Sequence, residues 1–188
     1  MIIMQINYSE WIPFDSIYTY DENATSRGSI FKPKNEIVTN KVTGIYLISD
    51  SSVAPLTSPE SLINIGRAVG NRKSTTFHDR LWKHCCKAIG ECGGSFNERD
   101  GNFYKDNTDK SEPQDTEKWA SYRHNQFKDF STWYFSFYCL EENDFELAKE
   151  KIGRIQDITM YAFSYYLNPC KPLCNSQSPK LTVKFPWL

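Results

Sequence analysis

Five stretches of ordered hydrophobic and polar positions stand out along the chain, separated by polar segments. From Val42 to Asp50 the run Val-Thr-Gly-Ile-Tyr-Leu-Ile-Ser-Asp is β-branched and aromatic between polar flanks, which predicts a strand. Residues 51–60 are rich in Ser, Thr and Pro and read as a loop. Leu62-Ile63-Asn64-Ile65-Gly66 is a second short strand ended by glycine, and its closeness to the first predicts an antiparallel pair. Over 75–90, Phe77, Leu81, Trp82, Cys85 and Ile89 recur at helical spacing, with Thr75 or Thr76 able to cap the start and Gly90 the end. Phe130 to Leu140 is the most strand-like run in the chain. Asn143 then opens a helix to about Leu167, with an apolar face of Phe145, Ala148, Ile152, Ile155, Met160 and Phe163.

The remaining segments are less regular. Residues 1–40 mix aromatics (Tyr8, Trp11, Phe14, Tyr18, Tyr20) with turn formers and read as an N-terminal extension of short strands or loops, packed on the body by those rings. Residues 91–129 are polar and form a long insertion, with a short helix near Trp119–Phe127. Residues 168–188 read as an irregular tail before a strand-like Leu181–Phe185. The element order β-β-α-β-α predicts an α+β fold: a small three-stranded, mostly antiparallel sheet flanked by helices. The expected division is an extension at 1–40, a domain at 41–175 interrupted by the 91–129 insertion, and a tail at 176–188.

A length of 188 residues fits one domain whose core needs neither disulfide nor metal to fold. The 22 Lys+Arg and 23 Asp+Glu nearly balance, which excludes a histone-like basic protein and an acidic disordered tail but leaves room for a local basic face. No apolar run approaches a membrane span. The start, Met-Ile-Ile-Met-Gln-Ile-Asn, lacks a charged leader region and turns polar early, so the cytoplasm is the expected compartment. There the six cysteines are expected as thiols, and no Cys-x2-Cys pair points to zinc. His78 and His124 have no evident partner in sequence, and surface placement is expected for both.

Charge is unevenly spread. Segment 67–87 holds Arg67, Arg72, Lys73, Arg80, Lys83 and Lys87 against Asp79 alone, a local positive stretch suited to phosphate, or a solvated helix face balanced by distant acids. Within it, Arg80 and His84 are four apart and share a helix face. Arg80 can fork a phosphate, and His84 can pass a proton or orient a hydroxyl.

Three short motifs in order, with the expected elements between them, give the chain a family likeness. Gly44-Ile45-Tyr46, then Ile63-Asn64-Ile65-Gly66-Arg67-Ala68, then Arg80-Leu81-x2-His84, resembles the GIY-YIG nuclease family in its restriction and phage-type branch. The likeness covers about residues 40–175, and the family shares the β-β-α-β-α order. It implies a DNA endonuclease that hydrolyses phosphodiester bonds with Mg²⁺ (or Mn²⁺). In such a site Tyr46 acts as, or assists, the general base, Arg80 stabilises the pentacovalent phosphate, and His84 hydrogen-bonds Tyr46 or the attacking water. Arg67, Arg72, Lys73, Lys83 and Lys87 are the implied DNA contacts. Gly44, Gly66 and Asn175 brace the site, the last through Pro172-Leu173-Cys174-Asn175.

The chain departs from the family pattern in three places. The Tyr46-to-Asn64 linker is longer than usual, and Asn64 stands where the family has a second tyrosine, so it can hold a water or phosphate oxygen but cannot act as a base. Third, counting back from Leu167-Asn168-Pro169 to the family's metal glutamate lands near Thr159, with Gln156 and Asp157 beside it and no glutamate, whereas counting forward from the preceding strand lands near Glu150; Glu150 is the expected metal carboxylate, with Asp157 as the alternative, and the two share a helix face with Glu146. Two readings follow: a metal-dependent DNA endonuclease, or a catalytically inactive DNA-binding or interaction module on the same fold. Cleavage of both strands by a single site calls for a homodimer or for sequential nicking, and the 91–129 insertion is expected to carry target specificity.

Overall fold

A computed structural model of the chain describes residues 6–21, 23, 30–39, 43–50, 61–69, 76–89 and 132–166, with the backbone alone for 86–89 and 163–166. The elements in chain order are β1 (Ile12–Pro13), α1 (Phe14–Ile17), β2 (Tyr18–Tyr20), β3 (Phe31–Pro33), α2 (Glu36–Thr39), β4 (Thr43–Ser49), β5 (Leu62–Ala68), α3 (Phe77–Ile89), β6 (Tyr134–Leu140) and α4 (Phe145–Tyr166). The expectations for 91–129, for Thr75 and Gly90, and for 168–188 lie outside the described residues, as does Phe130.

The fold is α+β, with antiparallel sheets flanked by helices. The three strands foreseen from the hydrophobic runs form the body of one sheet, β6-β4-β5, and β1 adds a fourth strand at the β6 edge. A second sheet pairs β2 with β3. In the main sheet Tyr46 lies opposite Gly66 on one side and Phe137 on the other, while Ile45 lies opposite Arg67 and Tyr138. Opposed residues share a face and successive residues alternate, so this register decides what each side of the sheet presents. It breaks only between Ile48 and Ser49, where a bulge shifts the β4–β5 pairing.

Two apolar clusters result, one per face. Tyr46, Ile48, Ala68, Phe135 and Phe137 meet Phe77, Leu81 and Cys85 of α3 on the first face. Phe14, Tyr18 and Phe31 of the N-terminal segment, each at most 1% exposed, belong to that same cluster. On the second face Ile45, Leu62 and Ile65 meet Ile152, Ile155 and Met160 of α4. Each large side chain removed from water contributes about 1.5–3 kcal/mol, so the N-terminal rings are a substantial part of the core.

Local chemistry sets the helix starts and the docking of the N-terminal segment. Thr76 caps α3: the Asp79 N–H donates to Thr76 Oγ1 at 3.2 Å, and the Thr76 N–H donates to Asp79 Oδ2 at 2.6 Å. This reciprocal pair satisfies donors that an open helix end would leave without partners. At α4, the Leu147 N–H donates to Asp144 Oδ1 at 2.9 Å. Ser9 extends the β1–β6 ladder through its side chain, accepting from the Phe137 N–H at 2.9 Å, while Ser136 Oγ donates back to Ser9 O at 2.7 Å. Tyr8 bonds Thr159 of α4 through its hydroxyl at 2.7 Å, and burial pushes the phenol up to about 12. Among the described residues, no helix is long and apolar enough to cross a membrane.

Candidate functional site

Tyr46 projects from the middle of β4 onto the α3 side of the sheet, and its surroundings follow from the strand register. The residue opposite is Gly66, and a Cβ placed there would collide with the Tyr46 ring and its hydroxyl oxygen. Glycine at 66 is therefore the floor on which the phenol lies. Gly44, two residues before Tyr46, has the same kind of role: a Cβ there would meet the Tyr138 carbonyl oxygen, and Phe77 Cζ would lie 2.8 Å from it. The two motif glycines let a tyrosine and a phenylalanine close down on the sheet. Phe77 presents its edge to Tyr46, with centroids 6.2 Å apart and planes at 87°.

Helix α3 supplies the partner. Phe77 and His84 are seven residues apart, hence nearly on one line along the helix, beside the buried Leu81 and Cys85. His84 consequently faces the sheet. Its Nε2 lies 2.7 Å from the Tyr46 hydroxyl oxygen. Phenol is the better donor and imidazole the better base, so in the neutral pair the Tyr46 O–H donates to Nε2 and His84 carries its own proton at Nδ1. Tyr46 is 2% exposed and His84 is half-buried.

The other expected site residues divide between near and far. Asn64 is buried on the Tyr46 face, opposite Ile48 and one same-face position from Gly66. Arg80 stands one turn before His84 on α3 and is exposed, as is Lys83. Arg67 is exposed too but projects to the opposite face, where its guanidinium passes over Gly153 of α4, so that a Cβ added at 153 would come within 3.0 Å of NH1. Among the described basic residues of this segment, Arg67 thus belongs with α4, and Arg80 and Lys83 belong with α3. Arg72, Lys73 and Asn175 lie outside the described residues, and so does the side chain of Lys87, which is in the last turn of α3.

Glu150 and Asp157 are on α4, which packs against the second face of the sheet through Ile152 and Ile155. Glu150 is ion-paired with Arg154 at 2.5 Å on the exposed side of the helix. The sheet therefore stands between these carboxylates and the Tyr46–His84 pair. Among the described residues, no group of three His, Cys, Asp or Glu side chains is placed to share a cation. Among the described residues, Glu150 and Asp157 therefore do not reach a cation placed at the Tyr46 phenol.

One residue expected at the surface is a partner instead. His78, the second residue of α3, meets the Tyr18 hydroxyl through Nδ1 at 3.2 Å. Burial holds its imidazole below the usual range, against a smaller opposing pull from Asp79. No local sequence pattern links positions 18 and 78, because the contact is made by the N-terminal segment folding back on α3.

Comparison with protein-family models, with curated proteins and with solved structures finds no match to this chain.

Proposed function

We propose that the protein is a DNA endonuclease that hydrolyses phosphodiester bonds at the Tyr46–His84 pair. The observation that carries this reading is the 2.7 Å hydrogen bond between the two, made over a glycine floor at 66. It supports the reading because it joins the first and third motifs directly, with Gly66 of the second motif lying beneath the Tyr46 ring.

A phenol with a reference pKa of about 10 is a weak base at neutral pH unless its proton has somewhere to go. His84 Nε2 accepts that proton, while the Tyr46 oxygen takes one from the attacking water. The water oxygen bonds to phosphorus as the bond from phosphorus to the 3′ oxygen breaks, and the leaving oxygen takes its proton from solvent. Arg80, exposed one turn from His84, reaches toward the phosphate and stabilises the charge that builds on it. Mg²⁺ or Mn²⁺, which the family resemblance implies with Glu150 or Asp157 as its carboxylate, would supply Lewis-acid stabilisation of the phosphate charge when bound.

A second reading, nucleic-acid binding without cleavage, is favoured by two observations. Tyr46 is almost wholly buried, whereas a base must meet water, and Glu150 and Asp157 stand behind the sheet. In that reading Tyr46–His84 is a hydrogen bond of the core and α3 presents Arg80 and Lys83 to phosphates.

The experiment that separates them exposes supercoiled plasmid to the full chain with Mg²⁺, Mn²⁺ or EDTA, beside Glu150→Ala. Nicking that EDTA abolishes supports the nuclease, and its loss in Glu150→Ala would identify the carboxylate despite its position behind the sheet. Salt-sensitive DNA binding with no nicking under any cation sinks the nuclease and supports the binding module.

A further inference from the structure

Helix α3 is gripped by two tyrosine–histidine hydrogen bonds from different parts of the chain. Tyr18, the first residue of β2 and fully buried, meets His78 Nδ1, their ring centroids 5.7 Å apart. Tyr46, in the middle of β4, meets His84 Nε2. Positions 78 and 84 are about 120° apart around a helix and about 9 Å apart along it. The two bonds therefore hold α3 at different heights and on different sides.

That arrangement constrains a motion that apolar packing leaves loose. Phe77, Leu81 and Cys85 seat α3 on the sheet, but apolar burial is non-directional and changes little when a helix rolls slightly about its axis. A roll of about 20° moves a side-chain tip by about 2 Å at a helix's outer radius of 5–6 Å. A displacement of that size breaks a hydrogen bond, which tolerates only a few tenths of an ångström. The Thr76–Asp79 cap orders the first turn but links it to no other element.

We propose that Tyr18 and His78 are positioning residues: their hydrogen bond sets the roll of α3 and thereby holds His84 Nε2 against the Tyr46 hydroxyl. The functional meaning rests on the reading of Tyr46 and His84 as the reacting pair, while the positioning itself can be read without any cleavage. It gives the N-terminal segment a part in the site, because β2 supplies the tyrosine that steadies the helix bearing His84.

The test uses the full chain labelled with ¹⁵N in its histidine rings, of which there are three, and follows the His84 Nε2 resonance at neutral pH. Wild type and Tyr46→Phe, which lacks the phenol oxygen, mark the two ends of the scale. Tyr18→Phe, and independently His78→Ala, should move the His84 resonance from the wild-type end toward the Tyr46→Phe end. His78→Asn, whose amide reaches the Nδ1 position, should return it to the wild-type end. Ile17→Val, which loosens the same buried segment and leaves both hydroxyls in place, should not move it. The proposal is overturned if both Tyr18→Phe and His78→Ala leave the resonance at the wild-type end, or if Ile17→Val moves it as far as they do. Plasmid nicking on the same samples keeps the two claims apart. A shifted resonance in a wild-type background that does not nick leaves the positioning standing and removes the nuclease, whereas nicking with an immobile resonance does the reverse.

Discussion

The Tyr46 hydroxyl and Nε2 of His84, 38 residues apart in the chain, meet at 2.7 Å on the α3 side of the sheet. The contact depends on two pieces of local physics. Strand alternation aims Tyr46 at α3 and puts glycine opposite it, and the seven-residue step from Phe77 lines His84 up with the buried edge of the helix. Tyr46 has no freedom to leave without disturbing the core around Phe77 and Phe137.

The glycine floor is testable by itself. Gly66→Ala places a methyl group into the Tyr46 ring and should destabilise the protein by about 1–3 kcal/mol, the usual cost of an overpacked core. The denaturant midpoint should fall with an unchanged slope, and the His84 ring should register the displacement of its partner. A midpoint equal to wild type would mean that the phenol does not lie over Gly66.

Arg80 separates stability from chemistry. It is exposed on α3, so Arg80→Ala should leave thermal stability within about 0.5 kcal/mol. Loss of one charged stabiliser at a transition state costs about 10²–10³ in turnover, and single-turnover cleavage should slow by that order. Unchanged turnover would remove Arg80 from the site.

Much of this geometry was legible in the chain, and the exceptions have physical causes. The runs at 42–50, 62–66 and 130–140 and the helical spacings at 75–90 and 143–167 correspond to β4, β5, β6, α3 and α4, because each carries a period long enough to declare its partner face. The separation of Arg67 from Arg80 follows from the strand register, which the sequence does not declare: a strand that turns Gly66 toward Tyr46 turns its next residue to the other side. The Tyr18–His78 contact was not, since it is long-range, polar and made by short elements with no periodicity of their own. Nor does helical spacing tell on which side of the sheet α4 settles, so the choice of Glu150 or Asp157 could not be made from their shared helix face.

Stability should carry the signature of His78. Burial holds its folded-state pKa below the unfolded value of about 6.5. As pH falls below that value the unfolded chain takes up a proton that the folded chain resists, so unfolding becomes easier toward acid, and above it His78 has no effect on the pH slope. Melting temperature should therefore decline from neutral toward acid pH, and His78→Asn should flatten part of that decline. An identical slope in wild type and variant would show that His78 is solvated like an ordinary surface imidazole.

The central claim is that the Tyr46 oxygen takes part in cleavage through its bond to His84. It is tested most directly by comparing wild type and Tyr46→Phe in single-turnover nicking of supercoiled plasmid, with DNA binding measured on the same preparations. Tyr46→Phe should keep its fold and its salt-sensitive DNA binding while nicking disappears. Nicking at the wild-type rate by Tyr46→Phe would contradict it.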